Sequence, residues 1–250
     1  MPPAATIDDV VQALDDIIAN AKLDASRLGY FAALYRRVTL SIKEGIALGI
    51  YEDPDRMEQL DVIFANRYLA AYDAYQNNGE MSDAWKHAFD VAGKWWPVVG
   101  QHLVLGINVH INLDLGIAAA ETVHGSDIEG LKNDFFKINR VLKSMINEVE
   151  KDLARIWWPL RVLDFLAGRL DEYLARFGIE YARDHAWDVA EKLSALAPVD
   201  WAVEIDSVDQ TVLKIAQIIE KPSFLLRLIL IIMRITEFKR VPQVIKILER

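Results

Sequence analysis

The chain has 250 residues, a net charge of −9 and no cysteine. It is long enough to bury a core without cross-links, and disulfides, thiolate metal sites and a cysteine nucleophile are excluded. The acidic balance argues against binding a phosphate backbone, so no nucleic-acid partner is expected.

Apolar residues recur at three- and four-residue spacing and alternating β-branched runs are scarce, which predicts an all-α protein. Thr6 or Asp8 opens a first helix to about Ala21, and Ser26 caps a second to about Leu48. Asp53-Pro54 is a cap and first-turn pair for a third helix, which ends near Gln76 at the turn Asn77-Asn78-Gly79. Ser82 starts a short fourth helix, on whose polar side His87 is expected to be exposed. Pro97, after Trp95-Trp96, restarts the chain as a fifth helix to about Glu121. Ser126 and Glu129 read as a capping box for a sixth. Pro159, after Trp157-Trp158, opens a seventh that Gly178 breaks, and its Asp164, Arg169, Asp171 and Glu172 read as a solvated or salt-bridged face. An eighth covers about 179–196, where Arg183 and Trp187 are spaced to stack. A ninth runs from about Asp206 to Glu220, an apolar segment follows at 223–236, and Pro242 starts the last helix. The expected architecture is one all-α domain, 1–250, a bundle of about ten helices. The two Trp-Trp-Pro sites read as paired aromatics at helix junctions.

The fifth helix carries polar residues in an unusual place. Leu103, Val104, Leu105, Val109, Ile111 and Leu113 cover nearly every direction around it, so it is expected to be a buried central rod. Its polar residues fall in stripes. Gln101, Asn108 and Asn112 lie within about 40° of one another. His110, Asp114 and Glu121 form a second stripe, with His102 about 80° from His110. Gly106 and Ala118 flank it and leave room. A buried polar group without a partner costs about 1–3 kcal/mol, so each stripe must meet partners, water, a metal or a ligand.

The third helix offers partners. Asn66 and Asp73 share one stripe, Asp61, Tyr68, Tyr72 and Tyr75 another, and Arg67 is expected to pair with a carboxylate. If the third and fifth helices are neighbours, Asn66, Arg67, Asp73, His110 and Asp114 converge. Three readings of this cluster stand side by side. One is a satisfied hydrogen-bond network that fixes helix register. The second is a divalent-metal site, with His110 and Asp114 as an i, i+4 ligand pair and His102, Glu121 or His124 as further ligands. The third is a metal-free acid–base or small-molecule pocket, with His110 titrating, Asp114 orienting it, and Asn66, Arg67, Tyr68, Asp73, Asn108 and Asn112 as lining. The leading expectation is a small-molecule-handling protein with a polar pocket between the third and fifth helices, of which a divalent-metal-dependent hydrolase with His110 and Asp114 as catalytic residues is one form. No Gly-rich phosphate loop, nucleophile elbow or His-Glu-x-x-His pattern is present.

The alternative is a non-catalytic interaction protein. Lys221 to Arg250 carries seven basic against two acidic residues, a local +5 that leaves the rest at −14. Within it, Phe224–Ile235 is apolar but too short to span a bilayer, and Arg227 and Arg234 share one face. It reads as a core or interface helix, or as a membrane-surface helix through which 221–250 meets a protein partner or an anionic membrane. The opening Met1-Pro-Pro-Ala-Ala-Thr-Ile-Asp-Asp has neither a basic nor an apolar leader region, so a cytoplasmic location is expected.

Two long strings carry a resemblance: Leu60-Asp-Val-Ile-Phe-Ala-Asn-Arg-Tyr-Leu-Ala-Ala-Tyr-Asp-Ala74 and Gln101-His-Leu-Val-Leu-Gly-Ile-Asn-Val-His-Ile-Asn-Leu-Asp-Leu-Gly116. With Asp53-Pro-Asp-Arg-Met-Glu58, Asp134-Phe135, Ile138-Asn139 and Arg183-Asp-His-Ala-Trp187, the chain over roughly residues 30–195 resembles a bacterial family of unknown function, DUF5995. The resemblance implies a helical bacterial protein and carries over no activity and no catalytic residue.

Overall fold

The computed structural model of the chain describes residues 1–124, 127–157 and 178–250. Among these residues there are eleven α-helices and no strand, as the apolar spacing predicts. They are α1 (Ile7–Leu23), α2 (Gly29–Ala47), α3 (Pro54–Gln76), α4 (Asp83–Ala92), α5 (Val99–Val109), α6 (Leu115–Thr122), α7 (Glu129–Ile156), α8 (Ile179–Ser194), α9 (Trp201–Glu220), α10 (Phe224–Thr236) and α11 (Val241–Leu248). The helix expected to open at Pro159, its charged face and the Ser126 half of the capping box lie outside the described residues.

Local chemistry sets most of the helix starts. The Thr6 hydroxyl accepts from the Asp9 N–H at 3.2 Å while the Asp9 carboxylate accepts from the Thr6 N–H at 2.9 Å, a reciprocal box on α1. Asp53 accepts from the Arg56 N–H at 3.0 Å and Pro54 fills the first turn of α3. Ser82 caps α4 through the Trp85 N–H at 3.2 Å. Two starts differ from expectation. Ser26 does not cap α2, because α2 begins at Gly29, where a Cβ would meet Ala21 at 2.6 Å and Ile245 at 2.8 Å. Close packing of α1 and α11 against the bare glycine fixes that start. α9 begins at Trp201 rather than Asp206, because a 3₁₀ turn at Pro198–Asp200 leads directly into it.

The rod expected at the centre is there. Val99–Thr122 runs as α5, a π-helical turn over His110–Asp114, and α6, with the Leu115 N–H donating to the His110 carbonyl. By length and composition this is a helix able to cross a membrane, but 83% of its most apolar window is buried inside the protein. α2, α3, α4, α8 and α9 pack around it. A close approach fixes α8, because a Cβ at Gly116 would meet the Ala186 carbonyl at 2.7 Å and Val189 at 2.9 Å. α11 packs on α1, α2 and α7, tying the last helix to the first two. One apolar core gathers Phe31, Tyr68, Trp85, Leu103, Leu113 and Val212, and a second gathers Met57, Leu60, Ala118, Phe135 and Trp187.

α10 departs from this pattern. None of its residues is buried, so it is not the core helix its composition allowed.

Candidate functional site

The His110–Asp114 pair lies at the π-helical turn, a kind of bulge enriched at functional sites. Imidazole Nδ1 is 3.0 Å from Asp114 Oδ2. The Trp85 indole N–H donates to the same Oδ2 at 2.8 Å, and Arg67 Nε donates to Oδ1 at 3.2 Å. Asp114 is 1% exposed, so this carboxylate is buried with three donors. A carboxylate facing Nδ1 places the imidazole proton there and leaves Nε2 as a bare lone pair. Nε2 is buried without a hydrogen-bond partner. Phe64 stacks on the ring at a 3.6 Å centroid distance, and Tyr35 closes its edge at 4.5 Å. Burial pushes the His110 pKa below its ordinary value, against the opposing pull of Asp114.

Arg67 also reaches Glu121 Oε1 at 3.3 Å, so α3, the π turn and α6 are joined by one guanidinium. The expected carboxylate partner of Arg67 is therefore present twice over. The wider convergence is not. Asn66 exchanges two hydrogen bonds with the backbone of Ala4, at 2.8 and 2.9 Å, and Asp73 accepts from the Met1 amine at 2.7 Å. Both side chains hold the N-terminal segment rather than line a pocket.

The Gln101, Asn108 and Asn112 stripe faces α9. Gln101 donates to the Ile219 carbonyl at 2.7 Å and accepts from the Val98 N–H at 3.1 Å. Asn108 donates to the Val212 carbonyl at 3.1 Å and accepts from Asn112 at 3.1 Å. These amides clamp α9 onto the rod at two levels, so this stripe is a satisfied network.

Of the four groups expected as metal ligands, His110 and Asp114 meet and His102 and Glu121 stand apart from them. His102 stands two turns before His110, about 12 Å along the axis. It hydrogen-bonds the Pro97 carbonyl, and burial pushes its pKa down to about 3. Glu121 is exposed and engaged by Arg67, and His124 is exposed. Among the described residues no group of three or more His, Asp or Glu is placed to hold a metal ion. The three donors on Asp114, one of them cationic, already engage both carboxylate oxygens and would compete with a metal ion for them. A cavity of about 20 Å³ lies between His102, Tyr68, Phe31, Trp85, Phe89 and Arg27, room for one water and little more. The room expected beside Gly106 is taken by the Phe31 ring, 2.4 Å from where a Cβ would be.

Sequence reasoning placed Asp61 on the third helix's aromatic stripe but not among the site residues. It is 1% exposed, and neither carboxylate oxygen has a hydrogen-bond partner. Burial, with the charge of Glu58, pushes its pKa up to about 7. The hydroxyls of Tyr35 and Tyr68 are buried and unpartnered as well. Burial, helped by the charges of Asp61 and Asp114, raises the Tyr35 pKa well above its usual value. The signal was available, because Leu60-Asp61-Val62-Ile63-Phe64 sets a lone carboxylate in an apolar run, the criterion that singled out His110 and Asp114. Tyr35 and Trp85 carried no comparable signal.

Two further expectations change. Arg183 lies over Phe135, 4.4 Å from its centroid, and donates to the Phe135 carbonyl rather than stacking on Trp187. His87 is half-buried rather than exposed, its Nε2 3.1 Å from Glu220 Oε2.

No curated protein and no solved structure matches the chain. A family model matches residues 7–222, a wider span than the strings quoted above, and ends two residues before α10 begins. The chain therefore belongs to DUF5995, a family of unknown function.

Proposed function

We propose that this chain is a non-catalytic interaction protein in which the helices around the central rod form a platform and α10 is the docking element. The observation that carries the reading is the orientation of α10. Arg227 lies over Trp96 at 6.0 Å, and Arg234 lies over Trp95 at 5.0 Å while donating to Glu237. The helix thus leans on the platform with its arginine side and turns its apolar side outward. Phe224, Leu225, Ile232 and Ile235 are each more than 60% exposed. A contiguous exposed apolar face on a folded domain marks an interaction site.

The buried cluster supports a second reading, a closed polar site for water or a very small ligand. Five atoms favour it: both Asp61 oxygens, the hydroxyls of Tyr35 and Tyr68, and His110 Nε2, all buried and unpartnered. The divalent-metal hydrolase expectation has less behind it, since His102 and Glu121 lie apart from the His110–Asp114 pair.

The double variant Leu228→Glu/Ile232→Glu tests the docking reading. A free face predicts that Tm moves by no more than about 2–4 °C, equivalent to 1 kcal/mol at this size, while retention on a phenyl matrix is lost. A variant that fails to fold would mean the face is covered by the chain itself, and the reading fails.

A further inference from the structure

We propose that the outward face of α10 seats on an anionic lipid surface, an inference that rests on reading α10 as a docking element. At about 100° per residue, Ile231, Phe224, Ile235, Leu228, Ile232, Leu225 and Ile229 fall in that order across an arc of about 160°. Each is at least 41% exposed. Together they present on the order of 700 Å² of apolar surface, above the roughly 300–600 Å² of the largest patch on a typical monomer. The arc contains one polar residue, Thr236, and its hydroxyl is taken up by the Trp157 indole and the Ile232 carbonyl. Phe238, 84% exposed, follows two residues past the helix end. Aromatic rings at the margin of a wide apolar helical face are the composition of a helix lying in the membrane interface.

The charges around the face point to what covers it. Lys221, Arg227, Lys239 and Arg240 are exposed, and among the described residues no carboxylate lies within ion-pair distance of any of them. Glu237, the residue that follows α10, is turned inward, accepting from the Val99 N–H at 3.2 Å and from Arg234 at 3.2 Å. The surface offered is therefore apolar, bordered by unpaired cations, on a chain whose net charge is −9. A second copy fits this poorly. An antiparallel pair of α10 helices would set Lys221 against Lys239 and Arg240 of the copy, and a parallel pair would set like on like. A protein groove reads directional polar groups as well as apolar anchors, and the arc offers none free. A lipid surface asks only for apolar area to enter the acyl boundary and for cations to meet the headgroups.

The test is flotation of the full chain with phosphatidylcholine vesicles, with and without phosphatidylglycerol, at low and high salt. Binding is expected on the anionic vesicles, weakened by salt, and slight on phosphatidylcholine alone. Replacing Lys221, Lys239 and Arg240 with Gln, and leaving Arg227 on Trp96, removes about 1 kcal/mol of attraction per cation, so affinity is expected to fall about a hundredfold with Tm unchanged. Leu228→Glu/Ile232→Glu is expected to abolish binding while remaining folded. Equal binding to both vesicle types, or no binding by a folded wild type that is retained on a phenyl matrix, overturns the lipid proposal and leaves the docking reading standing. Concentration-dependent dimers that the Glu substitutions abolish overturn it in favour of a second copy. Unfolding of the Glu variant overturns the docking reading itself, and the Gln variant still reports on lipid.

Discussion

Replacing Asp61 with Asn should stabilise the protein, and by an amount set by pH. The carboxyl is fully buried, its oxygens have no partner, and its pKa is raised from 3.8 to about 7. Below pH 3.8 the group is protonated in both folded and unfolded chains and contributes no difference. Between pH 3.8 and 7 the folded state keeps a proton that the unfolded state releases, so stability falls as pH rises. Above 7 the folded chain holds a buried, unpaired carboxylate. Raising the carboxyl from 3.8 to about 7 corresponds to about 4 kcal/mol of stability lost at high pH. That is a large share of the 5–15 kcal/mol that holds a typical domain together. Asn keeps the shape and cannot ionise. Urea unfolding of wild type and Asp61→Asn at pH 4 and pH 8.5 should give near-equal stabilities at the lower pH and an advantage of up to about 4 kcal/mol for the variant at the higher. A difference that does not change with pH, or a wild type that gains on the variant as pH rises, would refute the reasoning and mean that the ionised carboxylate has a partner.

Other perturbations follow from the same geometry. Trp85→Phe removes one of the three donors to the buried Asp114 carboxylate and should cost about 1.5–3 kcal/mol in urea unfolding. Gly106→Ala forces a methyl into the Phe31 ring and should lower stability by about 1–3 kcal/mol. Gly100→Ala, whose nearest neighbour is Leu153 at 4.0 Å, should cost nothing and gain up to about 1 kcal/mol from helix propensity. His102, with its pKa pushed down to about 3, contributes stability that is present above pH 6.5 and is lost as pH falls toward 3. His102→Gln should therefore show a shallower loss of stability than wild type between pH 6 and pH 4, measured by chemical denaturation.

Much of the scaffold is legible in the sequence because its signals are local. Thr6, Asp53-Pro54 and Ser82 mark helix starts through their own hydrogen bonds, and the all-round apolar pattern of 99–122 identifies a buried rod without knowledge of its neighbours. Ser26 misleads because the start of α2 is set by packing of α1 and α11 on Gly29, a contact between residues far apart in sequence. The candidate site is legible only in part for a similar reason. An i, i+4 spacing is enough to pair His110 with Asp114 and to suggest a carboxylate for Arg67. It cannot say that Trp85, 29 residues away, donates to that carboxylate, or that Phe31 fills the space beside Gly106. The π turn is likewise invisible to a count of 100° per residue, which assumes an unbroken α-helix. Asp73 and Asn66 have the right spacing for the pocket and the wrong direction, since both face the N-terminal segment. The seven-residue spacing of Arg227 and Arg234 puts them on one face of α10, and only the positions of Trp95 and Trp96 say which way that face points.

The most direct measurement uses the absence of cysteine. A dye attached at Ile232→Cys is compared with one at Leu48→Cys, which is 68% exposed and lies four residues before Glu52, whose N–H donates to Asp134 near the start of α7; the far end of α7 meets α10. With vesicles containing phosphatidylglycerol and lipids spin-labelled along the acyl chain, the dye at 232 should be quenched and the dye at 48 should stay as bright as in buffer. Equal brightness at both positions, with the protein folded, would contradict the assignment of α10 as the membrane-facing element.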